Sequence, residues 1–245
     1  GLMPPDQLPP PMAIKLTLQQ QSDYLDEHFD LGDGLSLRDT VYGLARARWQ
    51  AKECDHMRDE YREVQALHYR VGNITVPDGR VLVYNPGTPA RRERVLNSKR
   101  LEKLNNRAFK AARTIRPRVQ VTSPLGFSSE TVRLPTLLIN ASPGQMARRI
   151  DMVLDLRRSA NAEIEKHKAR IEQIVEATEW AGQKITFGDL WSVQARVQWF
   201  DPEVFRQQRP DLWDRFQMDK DYPATAGRYR LIKPGQDFEG DPYVD

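Results

Sequence analysis

The chain has 245 residues, 39 % apolar and 29 % charged. That is enough to bury a core without disulfide staples, but polar for a compact globule and suited to long exposed helices. Its single cysteine, Cys54, excludes an intramolecular disulfide and a cysteine-rich zinc site. No run of ~18 apolar residues is present, which excludes an apolar membrane-spanning helix; with no signal-peptide design either, a reducing, cytoplasmic setting is expected.

Residues 1–35 read as an N-terminal arm. Pro4, Pro5, Pro9, Pro10 and Pro11 stiffen its start. Ile14, Leu16 and Leu18 alternate as in a short strand, and Ser22 opens a short helix through Phe29. Asp26, Glu27, His28 and Asp30 form the densest acidic and histidine cluster, which we read as a solvated turn and not a metal site. The spacing of Ser36 and Asp39 predicts a capped helix running to Val71, with Leu37, Val41, Leu44, Met57, Tyr61 and Val64 on one stripe. At ~1.5 Å per residue it spans ~50 Å, so a second long helix must lie against it.

Residues 73–85 predict a β-hairpin turning at Pro77-Asp78-Gly79. The segment from Ala90 to Arg118 then carries eleven basic and two acidic residues, or +9. The whole chain is +3, so the remainder sums to −6. Leu101, Leu104, Ala108, Ala111 and Ile115 recur at 3-4 spacing, which predicts one docked helix with Lys99, Lys103, Arg107 and Lys110 on a neighbouring face. Like charges at that spacing repel by a few tenths of a kcal/mol per pair, a cost that a bound polyanion removes. Val119 and Val121 predict a strand, 123–135 a polar loop, and Leu137-Leu138-Ile139 a buried strand or core segment.

Ser142-Pro143 is a helix start. The heptad pattern that follows predicts a helix to Ala181, with Met146, Ile150, Val153, Ile164, Ile171 and Ile174 on a seam interrupted by Arg157 and His167. Its partner is either the 37–71 helix or a second copy of the chain. Length favours a homo-oligomer, a dimer or tetramer. Strand alternation returns over Lys184–Phe200, Asp201-Pro202 and Pro210-Asp211 start short helices, and Arg228–Ile232 is a last strand. The end, 234–245, is acidic and reads as a flexible tail. The expected class is therefore α+β, with long, partly coiled-coil-like helices, a β-hairpin and small mixed β elements. The expected divisions are 1–35, 36–142, 143–182, 183–233 and 234–245.

No Walker sequence, zinc-protease helix or nucleophile elbow is present, and His28, His56, His68 and His167 lack metal-ligand spacing. Neither a metal nor a cofactor is expected. A concentrated basic segment without catalytic motifs points to a polyanionic partner. Single-strand binders combine such a groove with aromatic platforms. The candidate contacts are thus Arg91, Arg92, Arg94, Lys99, Arg100, Lys103, Arg107, Lys110, Arg113, Arg116 and Arg118 for phosphates, with Tyr84, Phe109, Phe127, Trp191 and Trp199 for bases.

Three resemblances bear on this expectation. The acids of 237–245, with Phe238, Pro242 and Tyr243, resemble the acidic tails of single-stranded-DNA-binding proteins, although the chain ends in Val244-Asp245 where those end in an aromatic. Those tails occupy their protein's basic groove and recruit partner enzymes. The order of a long helix, two strands, Asp201-Pro202-Glu203-Val204-Phe205, Arg209-Pro210-Asp211-Leu212-Trp213, Phe216 and a final Arg228-Tyr229-Arg230 strand resembles the C-terminal appendage of some phage recombination nucleases. The nuclease core is missing, so no activity carries over. As a whole, the chain resembles a phage-encoded single-stranded-DNA-binding cofactor of a phage RNA polymerase. The expectation is a non-catalytic single-stranded-DNA-binding protein that recruits a polymerase or replication enzyme. The rivals are a virion or scaffold protein and a recombination-associated nuclease or its accessory.

Overall fold

The structure, a computed structural model, describes residues 35–69, 72–124, 126–127, 130–178, 180–188 and 190–233. The N-terminal arm up to residue 34 and the acidic tail lie outside the described residues. The class is α+β, as expected.

Helix α1 spans Leu37–His68; Ser36 Oγ accepts from the Asp39 N–H at 3.1 Å, the cap that the sequence spacing implies. It stops at His68, three residues short of the expected end. Helix α4 spans Pro143–Ala177 behind a complete capping box of Ser142 and Gln145. Between them lie β1 (Ile74–Thr75), β2 (Val81–Asn85), β3 (Arg91–Leu96), α2 (Ser98–Leu104), α3 (Asn106–Ala111) and β4 (Arg113–Thr122). After α4 come β5 (Ile185–Thr186), β6 (Ser192–Phe200), α5 (Pro202–Gln208), α6 (Pro210–Arg215), β7 (Gln217–Tyr222) and β8 (Arg228–Ile232).

The two long helices pack against each other within one chain. The seam expected to support self-association is used here. Met146, Ile150, Val153, Ile171 and Ile174 are buried and Ile164 is half-buried, all within clusters that α1 shares. Burying such side chains contributes roughly 1.5–3 kcal/mol each. Both polar seam residues also face α1. Arg157 pairs with Asp55, and a Cβ added at Gly43 would lie 2.6 Å from the His167 imidazole. Gly43 thus leaves the space the ring occupies.

Among the described residues all strand pairing is antiparallel, and three pairs, β2/β8, β3/β7 and β4/β6, join distant parts of the chain. The sheets run β1-β2-β8, β3-β7 and β4-β6-β5. These pairings cross the 142/143 and 182/183 boundaries read from the sequence. One core lies under β4-β6-β5, with Leu37, Val41 and Leu44 against Val119, Ile171, Phe187 and Val193. A second lies under β1-β2-β8, with Met57, Tyr61 and Val64 against Leu82, Met146 and Leu231. A third is built from Leu101, Phe109, Phe205, Leu212 and Phe216, apart from both long helices. The hairpin at 74–85 forms, pairing Ile74 with Leu82. Leu137–Ile139 does not form a buried strand: Leu138 is 65 % exposed and the segment is irregular.

The β2/β8 pair leads into the β3/β7 pair through residues 86–90 and 223–227. Thr225 Oγ1 accepts from the Thr88 N–H at 2.7 Å, and the Thr225 N–H donates to the Thr88 carbonyl at 2.9 Å. These bonds bridge the break. Gly87 and Gly227 permit it, because a Cβ at either would overlap the Thr225 backbone or the Tyr84 ring.

Two outcomes follow from the helix seam. Gly43→Ala forces the His167 ring aside and should lower unfolding stability by about 1–3 kcal/mol in urea, with the loss largely recovered in a Gly43→Ala/His167→Ala double variant. His167 is held below its ordinary pKa mainly by burial, with Arg46 of α1 and Lys166 adding to the shift and Glu163 opposing it. Its neutral form is favoured in the fold. This contribution to stability is therefore intact above about pH 6.5 and declines as pH falls below it, where the unfolded chain takes up the proton first. His167→Ala should flatten that decline, which urea titrations at pH 5.5 and 7.5 would measure.

Candidate nucleic-acid interface

The basic segment is not one helix. It is a strand, two short helices and a second strand. Asn105 ends α2 and caps α3, its side-chain oxygen accepting from the Ala108 N–H at 3.1 Å, while Asn97 caps α2 through the Arg100 N–H at 3.0 Å. Asparagine favours caps over helix interiors because its side chain satisfies free N–H groups at a helix start. The expected stripe is consequently broken. Leu101 and Ala108 are buried, whereas Leu104 is 61 % and Ile115 68 % exposed.

This break divides the cations into two groups. Those on β3 are compensated across the ribbon by the acids of β7. Arg92 donates to Asp221 at 2.7 Å, Arg94 faces Asp219 at 3.4 Å, and Glu93 stands opposite Lys220. Arg91 contacts Glu93 at 2.9 Å and lies over the Tyr222 ring at 4.6 Å. Three of the expected phosphate contacts, Arg91, Arg92 and Arg94, are thus paired with the chain's own acids. Exposed pairs of this kind add little stability, but they lower the field available to a ligand.

The second group is open. Lys99 and Lys103 on α2, Arg107 and Lys110 on α3, and Arg118 on β4 are exposed and make no ion pair among the described residues. Three arginines lie over rings of this region: Arg100 at 6.0 Å from Phe216, Arg113 at 5.3 Å from Phe109 and Arg116 at 4.2 Å from Trp199. Residues 91–113 and 199–222 together carry thirteen basic and eight acidic side chains, a net +5 against +9 for the segment read alone.

The aromatic expectations fare unevenly. Phe109 is buried and stacked on Phe200 at 4.6 Å. Phe127 and Trp191 are buried beside Tyr42 in the first core. Tyr84 packs on Tyr229 at the edge of the second core. Phe109, Phe127 and Trp191 are structural, whereas Tyr84 is half-exposed. Trp199 remains half-exposed beneath Arg116. Two half-exposed rings were missed: Tyr222, between Arg91 and Lys220, and Trp213, beneath Arg206 at 5.3 Å. The nearness of Arg206 and Arg209 to Trp213, and of Lys220 to Tyr222, was their only sequence signal.

A cleft of about 540 Å³ adjoins this surface, between α1, α4 and the irregular part of β4. There β4 carries one residue more than its partner between the pairs Pro117–Arg196 and Gln120–Gln194. Such a bulge turns a side chain away from the strand's regular alternation. Arg118 and Arg48 line one side, and Arg48 donates to the Val119 carbonyl at 2.8 Å. Burial and the neighbouring Arg118 charge push the Arg48 pKa down, with Glu165 opposing them more weakly. Nothing in the sequence links Arg48 to this place, seventy residues away on another element.

Among the described residues no group of histidine, cysteine and acidic side chains could hold a metal ion, and no helix is long and apolar enough to cross a membrane. No family model, curated protein or solved structure matches the chain.

Asn105→Ala removes the cap that separates α2 from α3. It should cost about 0.5–2 kcal/mol of stability and lower the thermal midpoint. An unchanged midpoint would mean that tertiary contacts alone hold the break.

Proposed function

We propose that this chain is a non-catalytic single-stranded-DNA-binding protein whose contact surface is the open cationic group on α2, α3 and β4. The observation that carries the reading is the separation of charge: Lys99, Lys103, Arg107, Lys110 and Arg118 are exposed without ion pairs among the described residues, while the arginines of β3 have theirs. Uncompensated cations in one region favour a polyanion.

Helix length favours a single strand over a duplex. At ~1.5 Å per residue, α2 and α3 are each only ~10 Å long, which is short for a helix that reads a major groove. Trp199, Trp213 and Tyr222, each half-exposed and covered by a guanidinium, offer planar stacks that unpaired bases can join. Recruitment of a polymerase or replication enzyme through the acids of 237–245 belongs to the same proposal and rests on sequence alone. Self-association through the α4 seam is not part of it, since that seam is filled by α1.

A second reading, an assembly protein, is favoured by the exposed apolar side chains Leu138, Ile139 and Met152 beside the start of α4. Cosedimentation with particles and indifference to DNA would select it.

The test is the salt dependence of oligo-dT binding. Affinity should fall with salt at a log–log slope of about −0.7 per phosphate contacted. A Lys99→Gln/Lys103→Gln variant should lose about 1.4 from the slope's magnitude, while Arg92→Gln, which removes a compensated cation, should change it by less. Equal slopes for wild type and the lysine variant would refute this surface, and a wild-type slope near zero would refute the function.

A further inference from the structure

We propose that the cleft between α1, α4 and the β4 bulge is a phosphate subsite that takes the terminal phosphate of a bound strand. This inference rests on the single-strand reading for its ligand, but on separate residues for its site.

The bulge directs the argument. Pro117 and Gln120 keep partners on β6, and Arg118 and Val119 between them have none in the pairing register. Arg118 is therefore exposed on the cleft wall. Arg48 comes from α1 to the same wall, where its bond to the Val119 carbonyl fixes one end of the guanidinium and leaves the other donors available. Two guanidiniums held near each other repel, and the nearby Glu165 relieves Arg48 by less than Arg118 strains it. An anion seated between them removes that repulsion and accepts their N–H groups in the forked geometry that arginine offers.

The opposite wall sets which anion fits. It carries Glu165, Lys168 and Glu172. Both carboxylates already have cations: Glu172 accepts from Arg196 at 2.8 and 2.9 Å, and Glu165 contacts Lys168 at 3.3 Å. They leave the arginine pair only partly compensated, because Glu165 offsets less at Arg48 than Arg118 adds, and they oppose a chain of phosphates. A strand that ran through the cleft would bring its next phosphodiester against them. A strand that ended there would not. A terminal monoester carries about −1.5 to −2 charges, which matches two guanidiniums better than the single charge of a diester.

The experiment compares 5′-phosphorylated and 3′-phosphorylated oligo-dT with the unphosphorylated strand, by fluorescence anisotropy at fixed ionic strength. Wild type should bind one phosphorylated strand about tenfold more tightly than the unphosphorylated one. Arg118→Gln and Arg48→Gln should each abolish that preference, while Lys99→Gln/Lys103→Gln should weaken all strands alike and keep the preference. Arg118 is exposed, so its variant remains informative if Arg48→Gln fails to fold. Equal wild-type affinity for all three strands would overturn the subsite and leave the single-strand reading standing. If no strand binds, the reading fails, and inorganic phosphate followed by phosphorus line broadening decides the cleft alone. Broadening lost in Arg118→Gln supports it, and identical spectra with both proteins overturn it.

Discussion

Two helices, each too long for a small globule to cover, bury their apolar stripes on each other, and the strand pairs are built around that seam. The contact requires particular residues. Gly43 leaves room for the His167 ring, Asp55 meets Arg157, and the alternating isoleucines and valines of α4 fill the rest. A charged residue in a packed seam is costly unless paired, and a neutral imidazole needs room, so Arg157 and His167 narrow the set of partners the helix accepts. They select α1, at one register. Because α1 and α4 come from opposite halves of the chain, that choice brings β2 to β8, β3 to β7 and β4 to β6.

The third core gains its position from this arrangement. It includes no residue of either long helix and holds together through Phe109, Phe205 and Phe216 and through the two strand pairs entering it. Its surface carries most of the open cations. A rigid seam with a small, separately packed basic module is a sensible division: the cations can meet a ligand without disturbing the main core. Electrostatics partition in the same way. Acids of the later segment cancel the arginines of β3, where the chain pairs with itself, and among the described residues make no ion pair with Lys99, Lys103, Arg107 or Lys110.

Local signals in the sequence were reliable where the structure is local. Ser36 and Ser142 cap the helices they introduce, Asp201 caps α5, and the alternation of Val193, Ala195 and Val197 marks the buried face of β6. What the sequence obscured depends on pairing at a distance. A 3-4 pattern through 101–115 suggested one helix, but two asparagine caps and the pairing of β4 with β6 outweigh it. Heptad spacing showed that α4 needs a long partner and left open whether that partner was in the same chain. Of the expected site, the basic residues were legible because charge is visible in composition. The aromatics were not, because a buried Phe109 and a half-exposed Tyr222 look alike until their neighbours are known. Arg48 carried no signal, since its role depends on a bulge in another strand.

Lysine acetylation footprinting tests the central claim most directly, because it reads side chains in the intact protein. On adding oligo-dT at low salt, Lys99, Lys103 and Lys110 should become protected, while the exposed Lys52 of α1 and Lys184, ahead of β5, keep their reactivity. Unchanged reactivity at the three lysines on a saturated complex, or protection spread evenly over all five, would contradict the account.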